Sequence, residues 1–127
     1  MENNNNSIKK LLIVEDDTKL QDILKEKLVA AGLNVDQALN GQQAFSKIKS
    51  EKYDLILIDI MLPGGVNGFD VLEQIKANPV LKEVPVIVLT NLDTEQKTAL
   101  DIGAVDYIVK ASISLDEVIL KIKSHLH

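Results

Sequence analysis

The sequence contains no cysteine, no arginine and no tryptophan. Without cysteine the chain can form neither a disulfide nor a thiolate metal site, and it has no cysteine nucleophile. Its two histidines, His125 and His127, lie at the end of the chain. Neither a catalytic triad nor a histidine-based zinc site is therefore expected inside the fold, and a metal site would have to use oxygen ligands.

The charged residues are biased as well, because all 14 basic residues are lysine and the formal net charge is −5. Arginine is the usual bidentate reader of guanine and phosphate, so direct nucleic-acid binding by this chain is not expected. A biased genome composition would also explain the missing arginine. No apolar segment approaches the roughly 20 residues that span a membrane, and the polar N-terminus lacks a signal-peptide core. We therefore expect a cytoplasmic protein that does not enter the membrane.

The chain of 127 residues is expected to form one domain with an aliphatic core, since aromatic residues make up only 3% of it. Residues 1–7 are rich in asparagine and are predicted to be a disordered tail, with the folded domain over 8–127. Short apolar runs alternate with helical patterns along that domain. Strands are predicted over 11–14, 33–39, 53–58, 84–90 and 105–110, and helices over 18–31, from 41, and over 68–77, 93–102 and 114–126.

This fivefold alternation of strand and helix predicts an α/β fold with a parallel sheet and helices on both faces. Right-handed crossovers require the doubly wound arrangement. A flavodoxin-like strand order, 2-1-3-4-5, would make strands one and three neighbours. Ligands in such sheets bind outside the carboxyl ends of the strands, at the point where the strand order reverses.

Polar residues stand at four of these strand ends. They are Glu15, Asp16 and Asp17 after strand one, Asp59 after strand three, Thr90 in strand four and Lys110 in strand five. Several carboxylates in one crevice repel each other unless a cation is present. Oxygen ligands favour a hard divalent ion, and Mg²⁺ fits best. A carboxylate held between Mg²⁺ and a lysine ammonium is arranged to receive a phosphoryl group.

Each of these residues also has a purely structural interpretation. Asp17 could cap the first helix as readily as it could contact a metal. Asp59 could be a loop carboxylate that accepts backbone N–H groups, and Lys110 could extend from a strand end into water. Thr90 is of a residue type common in strands. The coincidence at four strand ends is what favours a shared site, with Asp59 as its nucleophile.

The segments "LLIVEDD", "LILIDIMLPGG..G", "VIVLTN" and "GAVDYIVK" together resemble the receiver domain of bacterial two-component response regulators. The resemblance extends over the chain from Ile8 onward. It implies that Asp59 is the phospho-acceptor and also a metal ligand. Asp16 would bind Mg²⁺ directly, Glu15 largely through water, and the backbone carbonyl of Met61 would supply another ligand.

The resemblance also implies roles in signalling. Thr90 would be the hydroxyl that turns toward the phosphoryl group, Lys110 would pair with that group, and Tyr107 would couple the site to the outer face of strand five. The phosphoryl donor would be a histidine kinase or a histidine phosphotransferase. The protein would act as a switch rather than an enzyme, catalysing only its own phosphorylation and dephosphorylation. The downstream partner stays open.

Three departures from the family pattern accompany the resemblance. The loop from Asp59 to Gly68 is one residue longer, and Asn91 stands where a small residue is usual. Lys110 is followed by Ala111 instead of proline. A cis bond costs ~2.5–4 kcal/mol before alanine against ~0.5–1 kcal/mol before proline. We therefore expect a trans Lys110–Ala111 bond, and the longer loop makes the geometry of residues 60–68 the least predictable part of the site.

Two other functions compete with this interpretation. The first is a phosphatase of the haloacid dehalogenase type with an aspartyl nucleophile. That chemistry uses a second acid two residues after the nucleophile, where this chain has Met61. The second is a receiver-like interaction module that is never phosphorylated, against which the complete set of acids, threonine and lysine argues.

Overall fold

The computed structural model describes residues 8–126, so the predicted tail over 1–7 and His127 lie outside the described residues. Within that range strands and helices alternate. The strands are β1 (Lys10–Val14), β2 (Asn34–Ala38), β3 (Leu55–Ile58), β4 (Val86–Thr90) and β5 (Asp106–Val109). The helices are α1 (Thr18–Ala30), α2 (Gly41–Ser50), α3 (Gly68–Ala77), α4 (Gln96–Ile102) and α5 (Leu115–Ser124).

The strands form one sheet in the order β2-β1-β3-β4-β5, and every neighbouring pair is parallel. The predicted doubly wound fold and its strand order are confirmed. In the centre, Leu12 of β1 is in register with Asp36 of β2 on one side and with Ile56 of β3 on the other. Because all strands run the same way, their carboxyl ends share one edge of the sheet.

Two hydrophobic layers cover the sheet, one on each face. Successive strand residues point to opposite faces, so Leu12 belongs to one layer and Leu11 to the other. Helices α2, α3 and α4 cover the face of Leu12, and α1 and α5 cover the face of Leu11. A strand buried on both faces has to be apolar at every position. This explains the unbroken run of Leu55–Ile58 in β3.

The pattern of Thr18 followed by Gln21 three residues later indicates a capping box, but the start of α1 has none. Asp17 is the N-cap, and its Oδ1 accepts hydrogen bonds from the backbone N of Lys19 at 3.0 Å and of Leu20 at 3.1 Å. The capping alternative for Asp17 is therefore correct. Gln21 is buried instead, with 1% of its surface exposed.

The last two helices also differ from their predicted bounds. Helix α4 begins at Gln96, not at Asp93, and its N-cap Glu95 makes no side-chain capping hydrogen bond. Helix α5 ends at Ser124, before the predicted Leu126. Ser114 and Glu117, whose spacing is typical of a capping box, form one at its start. No helix between residues 8 and 126 combines the length and apolar composition needed to cross a bilayer.

Candidate functional site

An acidic pocket lies at the carboxyl edge of the sheet, where β1 and β3 end side by side. Glu15 and Asp59 directly follow Val14 and Ile58, which are in register with each other. The Asp59 backbone N donates to the carbonyl of Val14 at 3.0 Å, which continues the ladder by one residue. Oxygen atoms of Glu15, Asp16 and Asp59 lie within 4.8 Å of one another. The neighbouring strands thus bring together the acids that the sequence predicted to converge.

Lys110 joins the two buried acids of this pocket. Glu15 and Asp59 are 3% and 5% exposed, whereas Asp16 is exposed at the rim. The Lys110 Nζ lies 2.8 Å from Asp59 Oδ2 and 2.5 Å from Glu15 Oε1. One ammonium group therefore bridges both carboxylates, and this contact compensates the charge that β3 places at the edge of the core.

The remaining carboxylate oxygens of the buried pair accept hydrogen bonds from backbone amides. Asp59 Oδ1 accepts from the backbone N of Met61 at 3.0 Å, and Glu15 Oε2 accepts from the backbone N of Asp17 at 3.0 Å. Both carboxylates are thus fixed at two points each. An acid held in this way needs little reorganisation when it reacts or binds a cation.

The pKa directions reflect the balance between burial and pairing. Burial raises the pKa of Glu15 above its ordinary value, although the hydrogen bonds from Lys110 and from the Asp17 amide act in the opposite direction. Burial acts to lower the pKa of Lys110, but its hydrogen bonds to Asp59 and Glu15 outweigh this and raise it. Three carboxylates beside one ammonium leave negative charge in excess. This donor set, oxygen atoms only, fits Mg²⁺.

Thr90 and Tyr107 meet at the loop between β4 and α4. Thr90 ends β4 and is fully buried, and its Oγ1 accepts a hydrogen bond from the backbone N of Leu92 at 3.4 Å. Tyr107, buried in β5, donates its hydroxyl hydrogen to the carbonyl oxygen of the same Leu92. Leu92 therefore connects the two residues that the resemblance named as the switch pair. Nothing in the sequence pattern indicated this role for Leu92.

The loop between β3 and α3 contacts the acceptor through Gly68. A Cβ atom at this position would lie 2.2 Å from the backbone oxygen of Asp59, so only glycine fits. The Gly68 backbone N also donates to the carbonyl of Ile60 at 2.8 Å. The longer loop contains Gly64 and Gly65, both with positive φ angles, of 90° and 86°. These two glycines let the chain turn tightly. The loop therefore accommodates its extra residue while the start of α3 still packs against the backbone of Asp59.

The bond after Lys110 is trans, because no peptide bond among residues 8–126 is cis. The prediction made for Lys110–Ala111 is confirmed. Residues Lys110–Ser112 form a short 3₁₀ helix, which the sequence did not predict. This turn carries the chain away from the site while the Lys110 side chain still reaches both acids.

Comparison with known proteins settles the family. A family model described as "Response regulator receiver domain" matches residues 11–123. The chain belongs to this family. The predicted identity and main function are confirmed, so the protein is the receiver domain of a two-component response regulator. The phosphatase alternative loses its support, because the family match covers residues 11–123 and the position that would need an acid is Met61.

Individual relatives of this receiver domain agree with the assignment. The probable transcriptional regulatory protein SilR of Salmonella typhimurium is 42% identical over 103 residues, which is 80% of this chain and 44% of the relative. The response regulator ArlR of Staphylococcus saprophyticus is 39% identical over 119 residues, 92% of this chain and 52% of the relative. The receiver domain thus spans about half the length of these relatives.

A solved structure of similar fold is that of the response regulator protein TrrA of Thermotoga maritima in complex with Mg²⁺-BeF. It is 34% identical in sequence, with a TM-score of 0.83, and the match covers 94% of this chain and 100% of TrrA. The two receiver domains therefore share a fold along nearly their whole length. The roles of the individual site residues in the present chain stay predictions.

Proposed function

We propose that Asp59 of this receiver domain accepts a phosphoryl group from a phosphohistidine donor. The observation that carries the proposal is the partly buried contact of 2.8 Å between Lys110 Nζ and Asp59 Oδ2. Glu15, Asp16, Asp59 and the backbone carbonyl of Met61 would hold Mg²⁺. When bound, the ion neutralises negative charge on the phosphoryl oxygens.

The transfer needs an in-line nucleophile and cations beside the phosphoryl oxygens. A lone pair of an Asp59 carboxylate oxygen forms the new O–P bond. The N–P bond of phosphohistidine breaks, and its electron pair returns to the imidazole nitrogen, which takes up a proton from solvent. Lys110 is positioned to stabilise the charge of the transferred group from the side of β5. Hydrolysis of the acyl phosphate by water would return the domain to its initial state.

The donor would be a histidine kinase or a histidine phosphotransferase, since two-component systems supply phosphohistidine in this form. The response would be a change in the face built from α4, β5 and α5. When the Thr90 hydroxyl turns toward the phosphoryl group, its hydrogen bond with Leu92 is released. Because Leu92 also accepts the hydrogen bond of Tyr107, the loop and β5 would rearrange together.

Mass spectrometry after incubation with acetyl phosphate and Mg²⁺ tests the proposal. The protein should gain the mass of one phosphoryl group, and hydroxylamine should remove it. Asp59→Asn should abolish the gain, whereas Asp101→Asn, an exposed acid of α4, should leave it intact. Undiminished labelling of Asp59→Asn would show that the acceptor is another residue. The alternative of an interaction module predicts no labelling of the wild-type protein at all.

A further inference from the structure

We propose that Gln21 is a positioning residue of the acidic pocket, and that its side-chain amide sets the affinity of the site for Mg²⁺. Its Nε2 lies 2.9 Å from the carbonyl oxygen of Ile13, 3.1 Å from that of Glu15 and 2.8 Å from that of Ala38. Two N–H groups thus serve three backbone carbonyls. This inference rests on the proposed function, because it concerns the same metal site.

The three carbonyls mark the place where β1 and β2 end. The backbone N of Glu15 donates to the carbonyl of Ala38 at 3.0 Å. The backbone carbonyl of Glu15 in turn accepts a hydrogen bond from Gln21 Nε2. Both backbone polar groups of Glu15 are therefore fixed, one by β2 and the other by α1. Since carbonyl oxygens only accept hydrogen bonds, they also determine that Nε2 faces them and Oε1 does not.

The position of Gln21 in α1 is one where packing alone would favour an apolar residue. Leu24 and Leu28, one and two turns further along the helix, are fully buried on the same face. A glutamine that is 1% exposed is costly to bury unless hydrogen bonds compensate. Here the compensation comes from the amide nitrogen alone, because the buried Gln21 Oε1 has no hydrogen-bond partner among the described residues. Gln21 therefore contributes through its hydrogen bonds rather than through apolar packing. The carbonyl groups that it contacts lie at the strand ends beside the acidic pocket.

The Glu15 carboxylate connects the same segment to the start of α1. Its Oε2 accepts from the backbone N of Asp17, and Asp17 is the N-cap of α1. Together with the contact of Gln21, this attaches α1 to residue 15 at two points. Asp16 lies between these anchors, so its backbone is held in place through its neighbours. Partners that orient metal ligands in this way change metal affinity by about 10–100-fold when they are removed.

Gln21→Met removes the amide while keeping an unbranched side chain of similar length. The dissociation constant for Mg²⁺, measured by isothermal titration calorimetry with MgCl₂, should rise about tenfold or more. The rate of labelling by acetyl phosphate at saturating Mg²⁺ should stay within about twofold of the wild type, because the amide contacts none of the reacting atoms. Hydrogen exchange should become faster at the amides of residues 15 and 16 and stay unchanged in β4 and α5.

Gln43→Met is the matched control, because Gln43 Oε1 accepts from the backbone N of Leu39 at 2.8 Å outside the pocket. It should leave the dissociation constant unchanged. Equal shifts in both variants, or a lower Tm of Gln21→Met with unchanged Mg²⁺ affinity, would overturn the inference about Gln21 alone. A wild-type protein that binds no Mg²⁺ would overturn the proposed metal site as well. If Gln21→Met does not fold, Gln21→Asn carries the test, since its amide is withdrawn by one methylene.

Discussion

The ammonium group of Lys110 lies 2.8 Å from the carboxylate of Asp59, although the two residues are 51 positions apart in the chain. The contact joins the ends of β3 and β5, which have β4 between them. The same ammonium also contacts Glu15. Lys110 therefore has a structural role in the resting domain as well as its proposed role toward the phosphoryl group, and the two can be separated by mutation.

Lys110→Met should leave two buried carboxylates without their cation. Removing one partner of a buried ion pair costs about 3–5 kcal/mol, so the free energy of unfolding in the absence of Mg²⁺ should fall by about this amount. Labelling by acetyl phosphate should slow by about 10²-fold or more, since a donor to the developing charge is lost. Chemical denaturation and a labelling time course measure the two effects.

A double variant separates these two effects of Lys110. Asp59→Asn in the background of Lys110→Met should restore part of the lost stability, because it removes one of the two buried charges left without a cation. Lys121→Met is the control, since its ammonium lies 3.6 Å from Asp106 Oδ2 with a half-exposed side chain. Such a pair is worth at most about 1 kcal/mol. An unchanged labelling rate in Lys110→Met would contradict the role assigned to Lys110.

Mg²⁺ should stabilise the folded domain, because it binds the pocket only when the strands have brought the acids together. At 100 times its dissociation constant a ligand adds about 2.7 kcal/mol to the free energy of unfolding. Asp16→Asn should raise the Tm without Mg²⁺ by relieving repulsion, and should weaken the response to Mg²⁺. Asp101→Asn changes the net charge equally and should respond like the wild type. An equal response in Asp16→Asn would count against Asp16 as a ligand.

The contacts at Leu92 predict how a change at Asp59 reaches β5. Beryllofluoride with Mg²⁺ should shift amide NMR signals around Asp59 and across residues 91–110 of the wild-type protein. In Thr90→Val the shifts near Asp59 should persist, while those at Leu92 and Tyr107 should become several-fold smaller, because the hydroxyl that contacts Leu92 is gone. Wild-type shifts confined to the surroundings of Asp59 would show that this pathway does not operate.

Tyr107→Phe tests the second contact of Leu92. This substitution removes the hydrogen bond to the Leu92 carbonyl and leaves Thr90 and Asp59 untouched. Labelling of Asp59 should therefore proceed at the wild-type rate. On addition of beryllofluoride, the amide signals of residues 91 and 92 should still shift, whereas those of β5 should no longer shift with them. A loss of labelling in Tyr107→Phe would place Tyr107 in the phosphorylation step itself.

Tyr53, which lies near the edge of the sheet opposite the acidic pocket, should make the free energy of unfolding decrease at alkaline pH. The Tyr53 hydroxyl donates to Asp36 Oδ2 at 2.7 Å, and burial followed by this hydrogen bond raises the pKa of Tyr53 above its ordinary value of 10.0. Above that value the folded state retains a proton that the unfolded state has lost. The free energy of unfolding therefore falls as the pH rises through this range.

Tyr53→Phe should make this alkaline decline less steep, by up to about 1.4 kcal/mol per pH unit. At neutral pH the variant should be less stable by about 1.5 kcal/mol, the value of a hydrogen bond to a charged acceptor. Lys10, which also pairs with Asp36, is present in both proteins. Urea denaturation at a series of pH values measures the decline, and equal slopes would refute the role of Tyr53.

The sheet could be predicted from the sequence because its strands are buried on both faces and therefore apolar throughout. The convergence of Glu15, Asp16, Asp59 and Lys110 followed from the strand ends, since parallel strands share one edge. The first residue of α1 could not be predicted from the sequence, because Asp17 and Thr18 are adjacent and both can cap a helix. In the structure Asp17 is the cap, and its backbone N donates a hydrogen bond to the Glu15 carboxylate.

Gln21 and Leu92 were missed for a related reason. From the sequence, a glutamine among leucines is expected on the helix surface or in a cap because its side chain is polar. Its burial is explained only by the neighbouring backbone carbonyls at the ends of β1 and β2. Leu92 acts through its backbone N and carbonyl, which carry no information about the residue type. Both contacts depend on where the fold places backbone groups of other segments, which local sequence patterns do not specify.

The uncapped start of α4 has a mechanical consequence. The N-caps of α1, α2, α3 and α5 each accept a backbone hydrogen bond through a side chain, whereas Glu95 of α4 does not. A side-chain cap is worth about 1 kcal/mol, and a helix of seven residues has little intrinsic stability. The first turn of α4 is thus the least anchored start among the five α-helices of the described domain, and we expect a displacement of Leu92 to move it more readily than the four capped helix starts.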